Sequence, residues 1–102
     1  MGVTQYTTPT FTLTFTDEEL DLTQARNVYV TFSSAGGNFT KTGDALTVEA
    51  KSISVFLSQE ETGRLNGIAR IQANWVMPNG MRAASNISAV QIDAQLLRRV
   101  VE

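Results

Sequence analysis

The stretch Thr10-Phe11-Thr12-Leu13-Thr14-Phe15-Thr16 alternates without an error between apolar and hydroxyl side chains. Successive side chains of a strand point to opposite faces, so Phe11, Leu13 and Phe15 share one face and the threonines the other. That is the pattern of an antiparallel strand with one face on a core and one in water. Pro9 stands at its start, where a missing N–H does least harm. The alternation recurs. Val28, Val30 and Phe32 alternate with Tyr29 and Thr31 between Asn27 and Phe32. Ala35-Gly36-Gly37-Asn38 is a turn signal, and Phe39 to Thr42 reads as a short return strand. Leu46, Val48 and Ala50 alternate with Thr47 and Glu49; Ile53, Val55 and Leu57 alternate with Ser52, Ser54 and Phe56. Lys51 lies between these runs. Two strands around a tight bend and one strand with a phase-shifting bulge both fit the pattern.

The periodicity then changes. Ser58-Gln59-Glu60-Glu61 is a capping box, in which Ser58 accepts from the N–H of Glu61 and the Glu61 carboxylate returns to the N–H of Ser58. Gly63 and Gly67 limit the helix to one or two turns, ending near Leu65 with that leucine on the core. Ile68 to Met77 follows as a long strand with Ala69, Ile71, Ala73, Trp75 and Met77 on one face. Pro78-Asn79-Gly80 is the strongest turn in the chain. A three-residue loop pairing Met77 with Met81 sets Trp75 opposite Ala83 and Ile71 opposite Ile87, which keeps apolar residues together. The phase slips again between Ile87 and Val90, which predicts a bulge there. About seven short strands with regular turn signals and one helical turn near 59–65 read as an all-β, immunoglobulin-like antiparallel β-sandwich. A small Greek-key barrel is the alternative. The expected organisation is an N-terminal arm over 1–8, the sandwich over 9–93, and a tail or strand extension over 94–102.

Composition narrows the chemistry. The 102 residues contain no cysteine and no histidine. Cysteine nucleophiles, histidine bases and the usual zinc sites are thereby excluded. A net charge of -2 has the wrong sign for a dedicated nucleic-acid binder. No apolar run approaches the ~20 residues of a membrane helix, and MGVTQYTTPT lacks the basic and apolar regions of a secretory signal. No nucleic-acid partner, no membrane and no cofactor are expected. One modest core is within reach, since a chain of this size buries about 65% of its unfolded surface.

The order of features points further. FTLTF is followed by an acidic turn, then Asp21-Leu22-Thr23-Gln24-Ala25 before the second strand. Later comes Leu57-Ser58-Gln59-Glu60-Glu61-Thr62, with Leu65 and Gly67 ahead of the long strand. From about Thr8 to Ile92 this order resembles the N-terminal immunoglobulin-like domain of phage baseplate upper proteins. Related small domains are encoded in prophage tail clusters of Gram-positive bacteria. Two family elements carry the likeness: a "DLTGA"-like segment before the second strand, and a leucine-led "L-T-x-E-x-T" element with a short turn and a glycine. The resemblance implies a non-enzymatic structural protein of a phage or prophage tail, made in the host cytoplasm and located in the virion. Its partners would be other tail and baseplate proteins. Threefold or sixfold tail symmetry implies a homo-oligomer, a trimer being its smallest closed form. The family carries no catalytic residues, so none is transferred.

The acidic group Asp17, Glu18, Glu19 and Asp21 lacks the ligand spacing of a calcium loop and fits a solvated turn. Adjacent Glu60 and Glu61 do not face each other on a helix, so they make a poor acid–base pair. Ser33, Ser34 and Ser85 lack a histidine, and no motif ties them to Lys41 or Lys51. No catalytic, cofactor-binding or metal-binding residue is therefore assigned. Trp75 on its apolar strand face reads as a core anchor. Tyr29, opposite in phase to Val28 and Val30, is the surface candidate. Leu97, Arg98, Arg99, Val100 and Val101 combine apolar anchors with a charged rim and form a second candidate contact. A carbohydrate-binding or adhesion module is the competing function.

Overall fold

The computed structural model describes residues 2–16 and 20–94. In chain order these form β1 (Gly2–Thr4), β2 (Thr10–Thr14), β3 (Asn27–Ser34), β4 (Gly37–Thr42), β5 (Leu46–Glu49), β6 (Ser52–Phe56), α1 (Gln59–Gly63), β7 (Gly67–Val76), β8 (Arg82–Ala84) and β9 (Ser88–Asp93). Single 3-10 turns lie at Leu22–Gln24 and Gly43–Ala45. The larger sheet runs β1-β9-β7-β3-β4, with β8 also on β7; the smaller runs β2-β6-β5. All pairings are antiparallel except β1 on β9. This is the immunoglobulin-like sandwich: β2, β6 and β5 stand where strands B, E and D stand, and β9, β7, β3 and β4 where G, F, C and C′ stand.

The alternation read from sequence decides which side chains meet between the sheets. Val30 and Phe32 of β3 and Ala69, Ile71, Ala73 and Trp75 of β7 pack against Ile53 and Val55 of β6, with Leu57 just beyond it; all are buried. Two aromatic contacts cross between the sheets. Phe11 meets Phe32 edge-on at 5.5 Å, and Phe15 meets Trp75 edge-on at 5.4 Å. Such pairs add about 0.5–1.5 kcal/mol beyond area burial, which matters in a sandwich with no disulfide to clamp its sheets. Trp75 is the core anchor that its strand position predicted.

Several local expectations are resolved. Residues 46–57 are two strands around Ala50 and Lys51, with Leu46 opposite Val55. Both arms of the capping box form: Ser58 Oγ accepts from Glu61 N at 3.2 Å, and Glu61 Oε1 accepts from Ser58 N at 2.9 Å. Leu65 is fully buried just beyond α1. Trp75 pairs with Ala83, as the three-residue loop requires, and Met77 N–H donates to the Met81 carbonyl at 2.9 Å. The bulge, however, comes earlier than the sequence phase suggested. Ser85 still faces Ala73, with backbone and side-chain bonds at 2.8 and 2.9 Å, and the extra residue falls at Asn86–Ile87, which together oppose Gln72. Ile71 consequently pairs with Ser88 and not with Ile87, and Ile87 is left 60% exposed. The described part of the arm over 1–8 is bonded to the sandwich. Val3 pairs with Ile92, Gln5 N–H bonds Asp93 O at 2.9 Å, and Thr62 Oγ1, fully buried, donates to Thr7 O at 2.7 Å.

Candidate functional site

The side chains of β3 and β7 that do not enter the core form the outer face of the larger sheet. Tyr29 sits near its centre, flanked across the ladder by Thr42 of β4 and Asn74 of β7, with Ala84 of β8 beyond. The next row carries Thr40, Thr31 and Gln72, and the one after it Asn38, Ser33 and Arg70. Hydrogen bonds stiffen this lattice: Thr31 Oγ1 to Thr40 Oγ1 at 3.0 Å, Ser33 Oγ to Asn38 Oδ1 at 2.9 Å, and Arg82 Nη2 to Asn74 Oδ1 at 3.2 Å. Two shallow depressions result. One, of about 420 Å³, is lined by Tyr29, Thr31, Thr40, Asn74, Val76 and Arg82. The other, of about 250 Å³, lies between Thr31, Ser33, Arg70, Gln72 and Ile87.

This face carries its arginines towards the middle and a carboxylate, Asp93, at its β9 edge. Its rows on β3, β4, β7 and β8 hold Arg70 and Arg82 and no carboxylate. Ile68 and Ile87 add exposed apolar surface, at 56% and 60%. Half-buried Tyr29 is thus an aromatic anchor among neutral polar groups, with Arg82 beside it and Arg70 two rows along the sheet. Tyrosine and arginine are the residues that interfaces favour at their centres. β7 alone is about 33 Å long, and five strands side by side span about 20 Å. That area is close to the ~800 Å² one partner contributes to an interface of standard size.

The carboxylates considered for acid–base work are directed to separate structural tasks. Glu60 pairs with Arg64 on the solvent side at 2.7 Å. Glu61 reaches Lys41 of β4 through both oxygens at 2.7 Å while it caps α1. Burial raises the Glu61 carboxyl, but the Lys41 ammonium and the Ser58 N–H outweigh it and hold the group below its ordinary value. Asp21 is also held down, by the Thr23 hydroxyl and N–H at the start of its 3-10 turn. Asp17, Glu18 and Glu19 lie outside the described residues, as do Leu97, Arg98, Arg99, Val100 and Val101. Ser85 Oγ is engaged with the Asn86 carbonyl at 2.9 Å, and Lys51 Nζ donates to Leu20 O at 2.8 Å.

Sequence reasoning placed Tyr29 on this face but did not place Arg70, Arg82 and Ile87 there with it. The two arginines share the phase of Tyr29 once the β3–β7 and β7–β8 registers are known, so pairing those strands on paper would have found them. Ile87 required the position of the bulge. The Lys41–Glu61 contact joins residues 20 apart and has no local signal. No family model, curated protein or solved structure matches the chain.

Proposed function

We propose that this chain is a non-enzymatic structural and assembly protein of a phage or prophage tail, baseplate-like in its role and located in the virion. It works by protein–protein contacts made through the outer face of the larger sheet. The observation that carries the reading is the Tyr29 face, a hydrogen-bonded polar surface with an aromatic centre and two arginines, whose rows on β3, β4, β7 and β8 hold no carboxylate. The order of sequence features supports the tail assignment. Closed symmetry repeats one interface, so the expected state is a homo-oligomer, a trimer in the simplest case. Light scattering in the micromolar range tests it. Association that weakens in Tyr29→Ala and Arg82→Ala is the expected result. A strict monomer that also ignores co-expressed tail proteins contradicts it.

One observation favours a second reading. The depression beside Tyr29 sets amide, hydroxyl and guanidinium groups around an aromatic ring, an arrangement suited to sugar hydroxyls. A glycan array separates the two. Specific binding lost in Tyr29→Ala but kept in an Arg98/Arg99 double variant favours a carbohydrate module over assembly.

A further inference from the structure

The smaller sheet has an open side. β2 is its terminal strand, and among the described residues no strand pairs with its far edge. The ladder phase identifies which groups are exposed there. The Pro9 carbonyl accepts from Leu57 N and the Phe15 N–H donates to Lys51 O, so odd-numbered residues bond inward to β6. Thr10, Thr12 and Thr14 therefore aim their N–H and C=O groups at the vacant side. The core is open there too. Ile53 and Val55 of β6 are 0% and 1% exposed, whereas the inward-facing Phe11, Leu13 and Phe15 are only half-buried.

Two cavities follow this edge from end to end. One, of about 470 Å³, lies between Thr10 and Phe11, the Val3 and Thr4 side of β1, and Val90 of β9. The second, of about 340 Å³, runs beside Thr12 to Phe15 and is closed by Ser85, Asn86 and Ser88. The other sheet edges are less inviting. β1 has three residues, β5 has four and ends in Glu49, and β4 carries Lys41. Short or charged edges discourage pairing, while a regular uncharged edge invites it. The immunoglobulin fold has a strand in this position, strand A beside strand B.

We propose that this seam receives a single extended strand from a partner protein, added to β2 through Thr10, Thr12 and Thr14. The inference rests on the reading that the chain acts through protein contacts, and it specifies how one of them is made. The seam dictates the occupant's chemistry. Alternate side chains point into it, and they are apolar where they meet Val3, Phe11 and Val90. They are polar where they meet Ser85, Asn86 and Ser88. The chain's own residues 95–102 suit the seam poorly. Their apolar residues come in adjacent pairs, Leu96-Leu97 and Val100-Val101, so either face of such a strand carries Arg98 or Arg99.

The test uses the full chain and a random heptapeptide library as probe. Selection against the parent, with counter-selection against Thr12→Pro, is expected to enrich peptides with apolar residues at alternate positions. Thr12→Pro removes an outward donor and no backbone β2–β6 bond, giving up only the exposed Thr12 Oγ1–Ser54 Oγ contact at 3.1 Å, so the fold is expected to be retained. The affinity of an enriched peptide is expected to fall at least about tenfold in Thr12→Pro and to stay within about twofold in Tyr29→Ala. Independently of any variant, the bound peptide should slow amide exchange at Thr10, Thr12 and Thr14. No enrichment over the counter-selection, or binding without that protection, overturns the proposal. So does protection of these three amides in the free full chain, released by ending it after Ala94, because the chain's own tail then fills the seam. None of these outcomes bears on the Tyr29 face, which the association measurement tests separately.

Discussion

Replacing Glu61 by glutamine isolates one contribution to stability, the contact between β4 and α1. Glutamine keeps the volume and can still accept from Ser58 N, so the cap is largely retained. What is lost is the charge opposite Lys41, whose side chain is 16% exposed against 23% for Glu61. Exposed pairs contribute about 0.2–1 kcal/mol, and breaking a fully buried one costs about 3–5 kcal/mol. A partly buried pair with both carboxylate oxygens at 2.7 Å falls between, so Glu61→Gln should cost about 2 kcal/mol. For a domain of this size that is a fall in Tm of roughly 8 °C. Lys41→Met should cost about 1.5 kcal/mol, and the double variant should reveal a coupling of about 1.5 kcal/mol. The effect should also depend on pH. The folded Glu61 carboxyl is held below its ordinary value of 4.5. Its contribution is therefore present above that value and fades as pH falls through the depressed one. Urea unfolding of the four proteins, followed by tryptophan fluorescence between neutral and acidic pH, reads both quantities. A coupling below about 0.3 kcal/mol, or a Glu61→Gln deficit that does not shrink in acid, refutes the reasoning.

Two further substitutions probe how the N-terminal segment is held. Thr62→Val keeps the shape but leaves the Thr7 carbonyl without its 2.7 Å donor; thermal denaturation should show a loss of about 1–2 kcal/mol. Gly63→Ala places a Cβ 2.4 Å from Tyr6 Cε1, and the ring rests on a residue already at φ 58°. It should cost about 1–3 kcal/mol in the wild-type background and far less when Tyr6 is also alanine, as a double-variant cycle would show.

Where alternation was long, as in 10–16, 27–32 and 68–77, residue pattern alone assigned the strands and their buried faces. The capping box was equally legible, because both partners lie within four residues. What escaped depended on distance or on a single inserted residue. Gly2–Thr4 is too short to show a period, and only its parallel docking on β9 makes it a strand. The bulge at Asn86–Ile87 left the composition of the last strand unchanged while it moved Ile87 from the expected core face to the surface. The same limit applies to the site. Tyr29 was visible from its phase within one strand, but its arginine neighbours appear only when strands from distant parts of the chain are set side by side.

The proposed association through the Tyr29 face makes a direct physical prediction. Multi-angle light scattering of the wild type and Tyr29→Ala, across the micromolar range and at equal thermal stability, tests it most directly. A concentration-dependent oligomer is expected for the wild type and a shift towards monomer for Tyr29→Ala, whose stability changes by less than about 0.5 kcal/mol. A wild-type protein that stays monomeric throughout, or an oligomer indifferent to Tyr29→Ala, contradicts it.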